Sequence, residues 1–390
     1  MRTVSVVNHE APKRLRIALL TDYFGRRYGG AEAYAVNLFE ILAKRHDVTV
    51  ISHDFDHDLP VREIRIAMPA LLPSWMRVWI FSMQARSLMR AGYDIVQSQM
   101  SGCVGDVEVI HVTPIRYRRL FGRNLFRRVV AWLQPSNIAY LLLEAASVRP
   151  GPGRHVVAVS PWLRDRMIDA YGPQLKVEVI PPGATPVAMD QTNRQRIRAE
   201  LGWAATDIGV LLVARNPLRK GFAAVLEALH RLPEQFHLMV VGADPDVHEY
   251  MLQHHQALIS RVRLISPTAS VTPYYQAADV YVHPTLMDSF GMAPLEAMAH
   301  GLPVIVSGPE YCGFTQYVTH MHDAWVLEDP KNPGEIAKAI YELGTSQSLR
   351  TQFQMHSDFL VKKLSWEQVA EQYETLYADC IAHHIQPRNQ

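Results

Sequence analysis

One stretch of the sequence decides the fold, and it reads His283-Pro-Thr-Leu-Met-Asp-Ser-Phe-Gly-Met-Ala-Pro-Leu-Glu-Ala-Met-Ala-His-Gly-Leu-Pro-Val-Ile-Val-Ser307. Apolar residues at 280–283 and 303–307 predict two buried strands. Between them, residues 292–300 are good helix formers, and Gly301 is placed to end that helix. The stretch therefore predicts a strand, a loop, a helix and a second strand.

The start of this predicted helix has the properties of a phosphate-binding site. A helix that begins after Gly291 leaves its first backbone N–H groups without acceptors and carries a partial positive charge there. Asp288 precedes the helix and Glu296 lies inside it, so two carboxylates frame its start. Because a carboxylate suits a hydroxyl group rather than a phosphate, we infer a ligand that combines phosphates with sugars. The alternative is an ordinary crossover with a solvated Asp288.

The same order of strand, glycine loop and helix opens the first half of the chain, at residues 16–23, 25–30 and 31–45. Further strands are predicted at residues 47–52, 94–99, 107–112, 155–160 and 176–183. Segments of helix length separate most of these strands. Alternation of this kind indicates a parallel sheet that is covered by helices on both faces.

A second alternating series follows a polar run at residues 185–196, which contains the predicted linker. Strands are predicted at 208–215, 237–242, 261–266, 280–283, 303–307 and 324–327, and helices at 333–343, 349–363 and 366–384. The fold class is therefore α/β, with two doubly wound, Rossmann-like domains that face each other across a cleft. Ligands of such sheets bind at the carboxyl ends of the strands.

Length, charge and cysteine content exclude several classes of protein. A chain of 390 residues accommodates two domains with separate cores, and its net charge of +1 gives no field that attracts nucleic acid. Cys103, Cys312 and Cys380 are scattered and indicate neither a metal cluster nor a disulfide framework. We expect a cytoplasmic protein, because the start lacks a signal-peptide pattern and no apolar run of about 18 residues exists to cross a membrane.

Two cations and a histidine are candidates for the cleft. Arg215 ends a predicted strand, and Lys220 follows a short loop before the helix that opens at Gly221. Converging cations stabilise a diphosphate leaving group, because the departing oxygens gain negative charge in the transition state. A solvated basic turn is the alternative. His111 ends a strand of the first half, although a lone histidine at a strand end is more often structural.

The residues that start at Asp288 resemble the donor-site signature of the large retaining glycosyltransferase family GT4, which has the GT-B fold. That signature contains two glutamates separated by seven residues, and Asp288 stands here in place of the first glutamate. The Arg215 and Lys220 pair and the Gly29-Gly30 loop are also similar to family elements. The resemblance covers most of the chain.

The resemblance implies a role for each candidate residue. His111 and Asp288 are the implied catalytic residues beside the donor sugar, Glu296 holds the ribose hydroxyls, and the two cations bind the diphosphate. Backbone N–H groups bind the phosphates and the sugar, and they belong to Phe290, Gly291, Met292 and Ala293. The implied loop near the diphosphate and the acceptor contains Gly29, Gly30 and Glu32. No cofactor or metal ion is required beyond a nucleoside diphosphate sugar as donor.

The resemblance also divides the chain into three parts. Residues 1–184 are the implied acceptor-binding domain, and residues 185–365 are the implied donor-binding domain. Residues 366–390 are expected to form a helix that crosses back to the first domain.

A short acidic pattern, Asp54-Phe-Asp56 with Asp58, matches one by which a different glycosyltransferase fold holds a divalent cation. The pattern arises often by chance, and it lies in the first half, whereas the diphosphate residues lie in the second. We therefore predict no metal site.

Residues 115–134 combine basic and apolar side chains without any acidic residue. This composition suits an anionic membrane surface, with a core helix that has a solvated basic face as the alternative. We therefore also expect that the protein binds peripherally to the cytoplasmic face of the membrane. The predicted membrane-facing residues are Arg116, Arg119, Arg123, Arg127 and Arg128.

Together with these patterns, the resemblance implies a retaining, hexosyltransferase-type glycosyltransferase. It moves a sugar from a nucleoside diphosphate to a glycan or lipid-linked acceptor, as in polysaccharide biosynthesis. No residue stands out as a covalent nucleophile, so the resemblance favours attack on the face from which the leaving group departs. The alternatives are a nucleotide-sugar epimerase of the same fold and a non-catalytic nucleotide-sugar-binding subunit.

Overall fold

The computed structural model describes residues 14–69, 71–89, 92–100, 102, 105–268 and 270–385, except for the side chains of residues 125, 127, 128, 131 and 385. Its strands form two large parallel sheets and one small two-stranded sheet, and helices separate most of the successive strands in the large sheets. The predicted α/β class with two domains is therefore confirmed.

The first domain is built on a parallel sheet with the strand order β5-β3-β1-β6-β7-β8-β9, and β2 and β4 pair separately beside it. The strands are β1 (Arg16–Leu20), β2 (Tyr23–Gly25), β3 (Asp47–Ser52), β4 (Asp54–Asp56), β5 (Arg62–Arg65), β6 (Ile95–Ser98), β7 (Val107–Ile110), β8 (His155–Ala158) and β9 (Glu178–Val179). The helices are α1 (Gly30–Arg45), α2 (Ser74–Met89), α3 (Ile115–Leu120), α4 (Leu125–Leu133), α5 (Pro135–Ser147) and α6 (Pro161–Tyr171).

The second domain is built on a parallel sheet with the order β12-β11-β10-β13-β14-β15. The strands are β10 (Ile208–Val213), β11 (Phe236–Val241), β12 (Val262–Ile265), β13 (Val280–His283), β14 (Val304–Ser307) and β15 (Trp325–Leu327). The helices are α7 (Gln191–Glu200), α8 (Phe222–Leu229), α9 (Pro245–His254), α10 (Thr272–Ala277), α11 (Met292–Ala299), α12 (Pro333–Thr345), α13 (Gln347–Lys363) and α14 (Trp366–Ile385), with 3₁₀ turns at Leu218–Lys220, Gln256–Leu258 and Gly313–Tyr317.

Two predicted strands differ from the observed ones for backbone reasons. The strand predicted at residues 176–183 contains only Glu178–Val179, because Pro181 and Pro182 have no N–H group to donate to a sheet. The strand predicted at residues 16–23 ends at Leu20. Tyr23 starts β2, which pairs with β4 rather than with the large sheet.

The last helix, α14, packs against the first domain. The Tyr373 and Tyr34 hydroxyls are 2.7 Å apart in a buried contact, and the Tyr377 hydroxyl donates to the side-chain oxygen of Gln97. At the surface, Glu374 accepts from Arg45 at 2.8 Å. The helix thus covers α1, while the limits at residues 184 and 365 stay a prediction. Over the described ranges, we find no helix whose length and apolar composition would let it cross a bilayer.

Candidate donor site between the two domains

The loop after β13 leads into α11, whose start is open to a ligand. Gly291 precedes the helix with φ of +100°, and a Cβ at this position would lie 2.9 Å from the sulfur of Cys312. Glycine is therefore required here, because other residues disfavour this backbone angle and because a side chain would have no space. No side chain caps the helix, and the N–H groups of Met292 and Ala293 have no acceptor within the first turn. These donors are available to a phosphate oxygen.

The start of α1 lies across the cleft from the start of α11. A Cβ on Gly30 would be 3.7 Å from the sulfur of Met292, and a Cβ on Gly29 would be 3.3 Å from Nη1 of Arg215. Two positive helix ends and a guanidinium group therefore converge on one place, although they come from different domains. A diphosphate is the kind of ligand that this arrangement binds.

Asp288 is held by two donors at one of its oxygens. Its Oδ2 lies 2.5 Å from Nζ of Lys220 and 3.0 Å from Nε2 of His283. Burial opposes ionisation of this group, but the two donors together hold the pKa of Asp288 well below its usual range. Burial also lowers the pKa of His283, which favours a neutral ring that donates from Nε2. Among the described residues, none donates to Oδ1, so this oxygen remains available to a sugar hydroxyl.

Lys220 reaches Asp288 because two backbone segments approach very closely. Gly221 has φ of +89°, and a Cβ there would lie 2.1 Å from the carbonyl oxygen of Pro284. Only glycine fits this contact. The contact brings the turn that contains Lys220 against the loop that contains Asp288, and Nζ of Lys220 also lies 3.4 Å from the carbonyl oxygen of Met287.

Glu296 lies on the second turn of α11 and accepts from the Tyr275 hydroxyl at 3.1 Å. Tyr275 is fixed by a stacked contact with His300, with ring centroids 4.6 Å apart. Burial raises the pKa of Glu296, and the bond from Tyr275 opposes that shift. Glu296 borders a cavity of about 400 Å³ between the domains, which is also lined by Thr268, Ser270, Trp366 and other residues.

Glu32 is the acidic residue in the first turn of α1, and it lies beside the glycine loop. A Cβ on Gly29 would be 2.7 Å from its Oε2. Burial raises the pKa of Glu32, Arg215 lowers it, and Asp22 raises it further. This carboxylate therefore faces Arg215 across the cleft.

His111 follows β7 and packs against Tyr34 in an edge-on contact, with ring centroids 4.8 Å apart. Burial lowers the pKa of His111 to about 4, so the ring is neutral at pH 7. Its Nε2 is buried and has no hydrogen-bond partner among the described residues. The described contacts of His111 do not include the loop that carries Asp288, so its catalytic role stays a prediction.

The acidic pattern at residues 54–58 lies on and after β4, where arginines engage it. Asp54 accepts from Arg65 at 2.9 Å and from the Tyr28 hydroxyl at 2.7 Å. Asp56 lies 3.3 Å from Arg27. These ion pairs stabilise the edge formed by β2 and β4. In the described part of the chain, no cluster of three or more metal-ligating side chains is found.

The basic segment forms α3 and α4, and its predicted membrane-facing arginines differ in exposure. Arg116 is half-buried, donates to the carbonyl oxygen of Ala170 at 2.7 Å and lies over the Tyr171 ring, and its position at a membrane stays a prediction. Arg119 and Arg123 are exposed. The side chains of Arg127 and Arg128 lie outside the described ones.

The start of α6 in the first domain contacts the second domain directly, and the sequence did not indicate these contacts. The Ser160 hydroxyl, which also caps α6, donates to the carbonyl oxygen of Ser289 at 2.5 Å. The Trp162 backbone N–H donates to Gln316 at 2.8 Å, and its indole donates to the Glu310 carbonyl at 2.9 Å. Ser160-Pro161 is a readable helix-start signal, but nothing local indicates its partner.

Two α/β domains, each built on a parallel sheet, are the architecture of GT-B glycosyltransferases. The model for Glycosyltransferase Family 4 matches residues 28–186, and the model for Glycosyl transferases group 1 matches residues 193–357. The chain therefore belongs to glycosyltransferase family GT4 and is an enzyme of the glycosyltransferase class, as the sequence predicted.

Known proteins support this assignment at low sequence identity. An uncharacterized glycosyltransferase of Methanocaldococcus jannaschii is 24% identical over 391 residues, which cover 93% of this chain and 98% of that protein. The lipopolysaccharide glucosyltransferase WaaG of Escherichia coli is 27% identical over 226 residues, about half of each chain (54% and 58%).

Solved structures have the same fold. The crystal structure of WaaG superposes with a TM-score of 0.78 at 19% identity and covers 93% of this chain and 99% of WaaG. The structure of Anabaena HepE in complex with UDP and glucose gives a TM-score of 0.73 at 17% identity, with 94% and 100% covered.

Proposed function

We propose that the protein is a retaining glycosyltransferase that moves a hexose from a nucleoside diphosphate to a glycan or lipid-linked acceptor. The observation that carries this proposal is the convergence of two uncapped helix starts and Arg215 on one place between the domains. Glu296 and Asp288 then lie at the two ends of this anion site. Glu296 binds the ribose hydroxyls, and Asp288 binds the transferred sugar.

In the reaction, the bond between the anomeric carbon and the diphosphate oxygen breaks, and a bond to the acceptor oxygen forms. The acceptor proton passes to the departing diphosphate. Charge that develops on this leaving group is stabilised by Arg215, Lys220 and the N–H groups of Met292 and Ala293. Asp288 is a poor nucleophile because Lys220 and His283 engage its carboxylate. We therefore propose that the acceptor attacks the face from which the diphosphate leaves.

UDP is the first nucleotide to test, because the HepE structure contains UDP. A thermal-shift series with UDP, ADP, GDP and the corresponding glucose conjugates identifies the base. A nucleotide at about 100 times its dissociation constant stabilises the protein by roughly 2.7 kcal/mol. If no nucleoside diphosphate shifts the melting temperature, the proposed donor site is wrong. Release of glucose from the preferred conjugate separates an enzyme from a binding subunit.

We expect Glu296→Ala to weaken nucleotide binding by at least about tenfold, because each charge-assisted hydrogen bond to a ribose hydroxyl contributes roughly 1.5 to 3 kcal/mol at most. Calorimetric titration with the preferred nucleoside diphosphate measures this loss. Glu342→Ala is the matched control, because Glu342 is an exposed glutamate on α12. Equal affinity of the wild type and Glu296→Ala contradicts the assignment.

The nucleotide affinity of the wild type is also expected to fall as the pH is lowered from 7 towards 5. Burial raises the pKa of Glu296 above its ordinary value, so this carboxylate takes up a proton at a higher pH and loses its charge. Asp288 does not contribute to this loss, since its pKa is shifted downwards. The wild-type affinity is divided by the Glu296→Gln affinity at each pH. The effect of phosphate titration is common to both proteins and cancels in this ratio. A ratio that is constant with pH contradicts this prediction.

Membrane association is proposed for the surface of α3 and α4. Phe126 and Leu133 expose 75% and 72% of their surface, beside the exposed Arg119 and Arg123. Exposed apolar side chains next to arginines suit the boundary between lipid headgroups and acyl chains. This surface would place the first domain near a lipid-linked acceptor.

We expect the wild type to co-sediment with vesicles that contain phosphatidylglycerol, and we expect high salt to release it. Changing Arg123, Arg127 and Arg128 to Glu should abolish this binding, since each basic residue near such a surface contributes about 1 kcal/mol. Nucleotide affinity should remain unchanged. The matched control reverses exposed lysines of the second domain, namely Lys331, Lys338 and Lys362. If the wild type does not sediment with these vesicles, the proposal that α3 and α4 bind a membrane is wrong.

A further inference from the structure

A cavity of about 840 Å³ lies between the domains, and it shares no lining residue with the cavity beside Glu296. The second domain contributes Leu286, Met287, Glu310 and Tyr311 to its wall. The rest of the wall comes from the first domain and includes Tyr117, Phe121, Trp162 and the arginines 118, 119, 123 and 166. We refer to it as the arginine cavity.

The arginine cavity has a strong excess of positive charge, because Glu310 is the only carboxylate among the described residues that line it. No carboxylate of a described residue forms an ion pair with Arg118, Arg119 or Arg123. Arg166 is fixed in place: its guanidinium lies 3.4 Å from the centroid of Trp162 and donates to the Trp162 carbonyl oxygen at 3.0 Å. Unpaired arginines around one cavity form a site for an anion.

The partial burial of Arg166 supports the same conclusion. Desolvation lowers the pKa of this guanidinium, while Tyr117, Asp169 and Asp165 only partly oppose that shift. Asp165 is itself engaged by Arg164 at 2.9 Å. A half-buried cation whose desolvation is only partly compensated is stabilised when an anion binds beside it.

The position of the arginine cavity indicates which substrate it receives. Met287 lines the cavity, immediately precedes Asp288 and accepts from Lys220 through its carbonyl oxygen. Along the loop and α11, the order is therefore the arginine cavity, then Asp288, then the open helix start, then Glu296. A donor with its nucleoside at Glu296 and its diphosphate at the helix start directs its sugar towards Asp288. The acceptor must approach from the remaining side.

We propose that the arginine cavity binds a phosphate group of the acceptor and so positions the acceptor hydroxyl beside the donor sugar. The proposal rests on the proposed glycosyltransferase function and adds the chemical class of the acceptor. Arg118 and Arg166 bind the phosphate, and Tyr117 and Tyr311 contact the acceptor ring. The phosphate belongs to a soluble sugar phosphate or to a lipid headgroup.

The test uses the full-length protein loaded with the nucleoside diphosphate that gives the largest thermal shift, so that the donor's own phosphate site is filled. Glucose 6-phosphate and glycerol 3-phosphate are then titrated calorimetrically, beside glucose and glycerol. We expect each phosphorylated probe to bind at least about tenfold more tightly than its neutral counterpart. The double variant Arg118→Gln/Arg166→Gln should reduce this preference to less than about threefold while its nucleotide affinity stays that of the wild type.

Two controls identify the source of the effect. Arg62→Gln changes an exposed arginine on β5, outside the cavity, and should keep the full preference. Arg166→Lys keeps a charge beside Trp162 and should retain part of it. Neither Arg118 nor Arg166 belongs to the predicted membrane-facing residues. The double variant therefore leaves the predicted membrane-facing arginines unchanged, including Arg119 and Arg123, which also line the cavity.

Vesicles that contain phosphatidic acid separate the two sources of phosphate. Displacement of glycerol 3-phosphate by these vesicles, and its loss in the double variant, indicates a lipid headgroup. Binding of the soluble probes without such displacement indicates a soluble sugar phosphate. If a nucleotide binds but the phosphorylated probes show no preference, or if the double variant keeps the full preference, the inference is wrong while the proposed function stands. If no nucleotide binds, the proposed function itself is wrong.

Discussion

An Asp288→Asn protein is expected to transfer sugar roughly 100-fold more slowly than the wild type, or slower still, which is the usual effect of losing one well-placed electrostatic group. Its nucleoside diphosphate affinity should be nearly unchanged. The reason lies in the geometry of the carboxylate, since Lys220 and His283 both bind Oδ2 and leave Oδ1 for the sugar. The substitution removes the charge next to the sugar, and it leaves Lys220 in place for the diphosphate.

Restoring the family glutamate with Asp288→Glu should also lower the transfer rate. The carboxylate already lies at 2.5 Å from Lys220 and 3.0 Å from His283, so an additional methylene group has no room without displacing one of them. Release of the nucleoside diphosphate during transfer measures both variants, and calorimetry measures their affinity. Asp246→Asn, an exposed carboxylate on α9, is the control. Wild-type transfer by Asp288→Asn would falsify the catalytic assignment.

Lys220→Met is expected to lower both nucleotide affinity and folding stability. Lys220 and Asp288 are largely buried, with 13% and 20% of their side-chain surface exposed. Removing one partner of such a pair leaves an uncompensated charge, which costs about 3 to 5 kcal/mol in a fully buried site. We expect a decrease of about 3 kcal/mol in the free energy of unfolding here. Nucleotide affinity should fall by at least about tenfold, because a charged donor to the diphosphate is lost.

Denaturant unfolding at pH 7 tests the pairing directly. It compares Lys220→Met, Asp288→Asn and the double variant Lys220→Met/Asp288→Asn. The double variant should be more stable than Lys220→Met, because it no longer buries an unpaired carboxylate. In the wild type, the lowered pKa of Asp288 gives stability that is present above its unfolded-state pKa and is lost as the pH falls below it. The deficit of Lys220→Met should therefore shrink in acid. If the double variant loses the sum of the unfolding free energies that the two single variants lose, Lys220 and Asp288 do not stabilise each other and the prediction is wrong.

The parts of the fold that sequence could predict are those with a local cause. The stretch that contains β13, α11 and β14 was predicted to within one residue at each end, because apolar runs and Gly301 mark its boundaries. Gly301 follows α11 with φ of +75°, as expected for a glycine that ends a helix. The parallel sheets follow from the alternation of strands and helices.

The parts that sequence could not predict depend on residues far apart in the chain. The partner of Asp288 lies 68 positions away at Lys220, and Ser160 contacts Ser289 across 129 positions. No periodicity or turn signal carries such information. His283 was visible at the end of a predicted strand, but its bond to Asp288 depends on how the loop folds back. The contacts of Arg116 with Ala170 and Tyr171 were equally invisible, because composition does not say which face of α3 meets α6.

The crossing of α14 onto the first domain has a consequence for synthesis on the ribosome. Tyr34 of α1 finds its buried partner only when Tyr373 is made. At about 5 to 20 residues per second, the roughly 190 residues between the first domain and that tyrosine take on the order of 10 to 40 s to translate. During this time α1 lacks its covering helix, and its aromatic face is open to chaperones. Of the two domains, the one that is translated first therefore completes its packing last, when α14 becomes available.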